Sequence, residues 1–110
     1  MSDRDHYTYR VSWSPRDEEY VATCAEFPSL SWLDEDEVEA LRGIKRLVRE
    51  TVDDMRASGE AVPTPLADRE YSGKFMVRVP PDLHRRLAII AAEKKISLNR
   101  FISYRLALEC

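Results

Sequence analysis

Residues 74–79, Lys-Phe-Met-Val-Arg-Val, constrain this chain more than any other stretch. Phe75, Val77 and Val79 alternate with Lys74, Met76 and Arg78, which is the period of a β-strand with one apolar face. Pro80 and Pro81 end the strand and open a helix, where a missing N–H costs nothing. Over 81–95, Leu83, Leu87, Ile90 and Ala91 recur at helical spacing, and Lys94 and Lys95 fall in the last turn, where positive charge is favoured. Ser97 then caps a second helix over 97–110, with Leu98, Phe101, Ile102 and Leu106 expected inward. A strand–helix–helix unit of this size is too small to bury an adequate core alone. Its lone strand also leaves a row of backbone donors and acceptors open. Antiparallel pairing with the same strand of a second chain answers both problems. It buries Phe75, Val77 and Val79 of both copies as a dimer interface, and it presents Lys74, Met76 and Arg78 twice on the outer face. A two-stranded ribbon of this kind fits the major groove of B-DNA. The competing reading is an ordinary sheet strand with a solvated basic face.

The part before it reads as a small sheet with one helix. Tyr7, Tyr9, Val11 and Trp13 alternate with Thr8, Arg10 and Ser12, predicting a strand over 7–13. A polar turn at 14–19 leads to a second strand over 20–27, so the two form an antiparallel hairpin. Pro28 stops it, and 29–33 can return as a short third strand. Residues 34–60 predict a helix whose apolar face is Val38, Leu41, Ile44, Val48, Val52 and Met55, with Asp34 or Asp36 as N-cap and Gly59 at its C-terminal end. Residues 61–73 are a connector with two prolines and room for one short strand.

Charge divides the chain at the same place. Residues 1–70 hold nine Lys/Arg and 17 Asp/Glu, a net −8, whereas residues 71–110 hold eight and three, a net +5. An acidic part joined to a basic part suggests two partners of different kinds. Catalysis is not expected. The run Asp34–Glu37 cannot converge on one cation, because consecutive helical residues point about 100° apart. There is no Ser/His/Asp set, no Cys/His pair and no glycine-rich phosphate loop. Cys24, Cys110, His6 and His84 lack the spacing of metal ligands, so neither metal nor cofactor is expected. The opening ten residues have no apolar core, and the longest apolar run, Leu87–Ala92, is far short of the roughly 20 residues a membrane span needs. A soluble cytoplasmic protein is the expectation.

The stretch Lys74–Leu87, with the Ser-Leu-Asn-Arg-Phe-Ile segment that begins at Ser97, resembles a ribbon-helix-helix DNA-binding domain of the Arc/MetJ type over residues 73–110. The resemblance implies base contacts from Lys74, Met76 and Arg78, and a phosphate clamp at Ser97, Leu98 and Asn99. Free amides at a helix start, with a hydroxyl, suit an anion. Methionine at 76 cannot bond adenine bidentately; it can pack on a thymine methyl or leave specificity to Lys74 and Arg78. The whole chain is similar to the HicB family of type II antitoxins. The features are 7–13, 20–30, the acidic helix start at 34–44, 59–65 after the helix, and 71–88. That similarity implies an α+β fold: a small antiparallel sheet with one packed helix, like a truncated RNase H fold without its activity, followed by the ribbon-helix-helix domain. The implied domains are 1–62 for toxin binding, a linker over 63–72, and 73–110 for DNA binding and dimerisation. The implied partners are a HicA-type mRNA-cleaving toxin, operator DNA, and the chain itself as a homodimer or tetramer. Phe27 and Trp32 are candidates for the toxin interface, with the core as their alternative. Many relatives carry a glycine–cysteine pair where Ser29, Leu30 and Ser31 stand here. The alternative function is a stand-alone repressor with a ligand-sensing N-terminal domain.

Overall fold

The computed structural model describes residues 5–110, and the chain divides after Tyr71 into two compact units. The first unit contains three strands, β1 (Tyr9–Ser14), β2 (Glu19–Cys24) and β3 (Ser31–Asp34), and one helix, α1 (Glu37–Ala57). The sheet is antiparallel in the order β1-β2-β3. Tyr9 pairs with Cys24 and Ser14 with Glu19; Tyr20 pairs with Asp34 and Thr23 with Ser31. The β1–β2 turn closes with the Glu18 N–H donating to the Ser14 carbonyl at 2.8 Å, and Glu18 adopts a positive φ of 53°.

Alternation puts Tyr9, Val11, Tyr20, Ala22, Cys24 and Trp32 on one face, and α1 covers that face. Ala22, Cys24, Phe27, Ala40, Ile44, Val48 and Val52 form the buried core. Two residues expected inward are not. Val38 is 56 % exposed. At 3.6 residues per turn it lies about 120° around the helix from Ile44, and Ala40 holds the inward position instead. Trp13 is half exposed at the strand end, edge-on to Tyr20 with ring centroids 5.1 Å apart.

Two features set how α1 sits. The Asp36 carboxylate accepts from the N–H groups of Val38 and Glu39 at 2.9 and 3.0 Å, fixing the first turn. Gly43 lies over the Trp32 indole; a Cβ there would overlap the indole ring at Nε1. The glycine costs helix propensity but lets the helix backbone reach the sheet. Arg46 lies over the same indole, 5.2 Å from its centroid. At its far end α1 closes with Gly59 at φ 77°, the Glu60 N–H donating to Met55 O and the Gly59 N–H to Arg56 O.

The segment after α1 belongs to the first unit through Tyr71, with a 3-10 turn over Leu66–Asp68 rather than a strand. Val62 packs on the core, and the Tyr7 hydroxyl donates to the Pro63 carbonyl at 2.7 Å.

The second unit contains α2 (Pro81–Glu93) and α3 (Leu98–Ala107). Lys94 caps α2, Lys95 takes a positive φ of 59°, and the Ile96 N–H donates to Ala91 O. This is the same C-terminal closure as in α1, with lysine where α1 has glycine. No helix among the described residues is long and apolar enough to cross a membrane.

Candidate nucleic-acid interface

Residues 74–79 are not a strand in the single chain. Among the described residues, none of the backbone N–H or C=O groups from Phe75 to Val79 has a hydrogen-bond partner. The reason is topological, because the unit offers no neighbouring strand. The side chains are as open as the backbone: Phe75, Met76 and Val77 are 76 %, 80 % and 63 % exposed. Val79 is also exposed. Lys74 and Arg78 share the row with Met76 and are exposed.

The helices behind this row are under-covered. Ala91 and Phe101 are the buried residues of the unit. Leu83, Leu87, Leu98 and Ile102 are half-buried, as expected of an inward face. Ile90 and Leu106, both expected inward, are exposed. Two helices present more apolar surface than they can cover between them. The surplus comprises Ile89, Ile90, Tyr104, Leu106 and Leu108 with Phe75, Val77 and Val79.

Ser97 caps α3 as expected: its hydroxyl oxygen accepts from the Arg100 N–H at 3.0 Å. That leaves the hydroxyl proton and the N–H groups of Leu98 and Asn99 directed at the helix start without a helical acceptor. Lys94, Arg100 and Arg105 line a shallow hollow beside this start, with Ile96, Phe101 and Tyr104.

In the first unit the proposed anchors Phe27 and Trp32 take different positions. Phe27 is in the core, edge-on to Tyr7 with centroids 5.2 Å apart. Trp32 is half-buried beneath Gly43 and Arg46. On the sheet and α1 the large apolar groups left open are Trp13, Leu33 and Val38; Tyr71, at the end of the unit, is open as well. Trp13, Leu33 and Val38 lie at one end of the sheet, because Trp13 pairs with Tyr20 and Tyr20 with Asp34. The same end carries Asp17 and Glu18 from the turn, Glu19 from the start of β2, Asp34 from the end of β3, and Glu35, Asp36, Glu37 and Glu39 at the helix start. These carboxylates do not converge. Asp36 caps α1, Asp34 accepts from the Asp36 N–H at 2.9 Å, and Asp17 accepts from the Ser14 hydroxyl at 2.9 Å.

Glu26 is the polar residue that sequence reasoning undervalued. Its carboxylate accepts from the Thr8 N–H, the Thr8 hydroxyl and the Leu66 N–H at 2.9, 3.0 and 2.9 Å. It thereby ties the start of β1, the end of β2 and the post-helix segment together. Burial alone pushes its pKa up, but the donated N–H groups of Leu66 and Thr8 outweigh that and hold it at about 2. Burial pushes the neighbouring Cys24 thiol up, so that cysteine is an inert core group.

Fold and site together define an α+β protein: a three-stranded antiparallel sheet with its helix, followed by a helix pair headed by an unpaired alternating segment. The model of the HicB family matches residues 57–106, which spans that segment and both helices. The match covers 50 of the 110 residues, so the similarity to that family lies over the end of the first unit and the second unit. No curated protein and no solved structure matches the chain.

Proposed function

We propose that this chain is an antitoxin and autorepressor. Its second unit dimerises through residues 74–79, binds operator DNA and represses its own operon. Its first unit binds and neutralises a HicA-type mRNA-cleaving toxin, in the cytoplasm and without catalysis of its own. One observation carries the reading: the row Lys74–Val79 is exposed and alternating, with its backbone unpaired from Phe75 to Val79, in a unit with two buried side chains. Pairing with a second copy satisfies the backbone and covers the surplus apolar surface of α2 and α3. Lys74, Met76 and Arg78 then line the outer face, and Ser97, Leu98 and Asn99 hold a phosphate.

The toxin side rests on charge. The acidic sheet end with Trp13, Leu33 and Val38 suits a basic, RNA-binding partner, since apolar groups supply contact area and carboxylates complement its cations. Glu26 is held as a structural carboxylate by the Thr8 N–H and hydroxyl, the Leu66 N–H and the Cys24 thiol.

The test has two arms. The purified chain should bind the DNA upstream of its own reading frame far more tightly than an unrelated duplex, with affinity falling steeply as salt rises. Co-expression with a small basic protein encoded beside it should rescue growth and yield a complex. Equal affinity for both duplexes refutes the repressor arm, and no rescue by an intact, expressed chain refutes the antitoxin arm.

A further inference from the structure

We propose that Met76 makes the chain select thymine, by packing its thioether on the C5-methyl group at the centre of the bound site. The inference rests on the DNA-binding reading above and adds which base is read.

Met76 is the most exposed large apolar side chain of the described residues, at 80 %. It lies between two exposed cations on the face that alternation separates from Phe75, Val77 and Val79. Lys74 and Arg78 can each donate to guanine O6 and N7. Methionine has no donor, and its sulfur is a weak acceptor. Set against adenine, guanine or cytosine it would strip water from polar base atoms and return no hydrogen bond, which is unfavourable. Among the four bases only thymine presents an apolar group in the major groove. An unbranched, flexible thioether can follow the position of that methyl.

The ribbon presents each side chain twice, so two thymines on opposite strands are expected. Alternate residues of a strand are about 6.7 Å apart. Successive bases of one DNA strand rise about 3.4 Å. The guanines contacted by Lys74 and Arg78 should therefore lie about two base steps from each thymine.

The experiment enriches a random-sequence duplex library on the full-length chain and measures affinity for the winner by anisotropy. Each thymine is then replaced in turn by deoxyuridine, which removes the methyl and keeps every hydrogen-bonding atom. Replacement at two symmetry-related positions should weaken wild-type binding about fourfold per methyl, the value of one buried methylene-sized group. The Met76→Ala variant should bind the thymine and uracil duplexes alike. Because Met76 is exposed, that variant should keep the helical content and dimer state of the wild type, and circular dichroism and sedimentation check this. If no thymine replacement affects the wild type, or if wild type and Met76→Ala lose the same factor, the assignment of Met76 is overturned while DNA binding stands. Failure of the library to enrich any duplex overturns the DNA-binding reading itself, and this proposal with it.

Discussion

Glu26→Gln should remove most of the acid sensitivity of the first unit. The carboxylate holds three donors from segments far apart in the chain, Thr8 and Leu66. Its pKa falls from an ordinary 4.5 to about 2 on folding. A depressed carboxylate pKa contributes stability that is complete above the unfolded value and lost as pH falls through the folded one. Discounted for the solvent that reaches this partly open carboxylate, the difference corresponds to about 1–2 kcal/mol at neutral pH, less than half of that at pH 3 and almost nothing at pH 2. Glutamine keeps one acceptor oxygen and turns an amide toward donors that need acceptors, so the variant should lose about 1–2 kcal/mol at pH 7. Urea titrations followed by tryptophan fluorescence read this directly, since Trp13 and Trp32 are the only tryptophans and both belong to the first unit. The gap between wild type and Glu26→Gln should shrink steadily from pH 5 to pH 3. A gap that stays constant over that range, or that never exceeds about 0.5 kcal/mol, would refute the reasoning.

Three further outcomes follow from named contacts. Gly43→Ala should destabilise the first unit by about 1–3 kcal/mol despite the better helix propensity of alanine, because its Cβ meets the Trp32 indole; urea unfolding checks it. The two helix closures should respond oppositely at fixed protein concentration. Gly59→Ala, at φ 77°, should lower stability by about 1 kcal/mol, and Lys95→Gly, at φ 59°, should raise it by up to about 1 kcal/mol, both in thermal melts. On DNA, Arg78→Ala should weaken the preferred duplex by about 1–3 kcal/mol and relax specificity, whereas Ser97→Ala should weaken all duplexes alike; anisotropy with preferred and scrambled duplexes separates the two.

The elements were legible because their signals are local. Alternation marked β1 and β2, a carboxylate cap and a positive-φ glycine bracketed α1, and prolines and Ser97 punctuated the last two helices. What was not legible depends on residues distant in sequence. Nothing near Glu26 says that Thr8 and Leu66 will donate to it. Val38 fits a helical period as well as Ala40 does, and only the placement of the sheet chooses between them. Gly43 was the one available hint of close packing, since a mid-helix glycine needs a reason. It could not name Trp32 as that reason. Phe27 and Trp32 suited either core or interface, the core being the favoured reading, and the core took the first fully and the second in part. The segment 74–79 shows a different limit. Its period is that of a strand, yet a strand needs a neighbour, and the second unit contains none for it.

That missing neighbour is the central claim, and amide hydrogen exchange across 74–79 tests it most directly. At concentrations where sedimentation gives a dimer, alternate amides between Phe75 and Val79 should be protected well beyond open-chain rates, and the protection should fall as dilution dissociates the dimer. Exchange at open-chain rates throughout 75–79 in a folded dimer would mean that the copies do not share a ribbon, and would contradict the account.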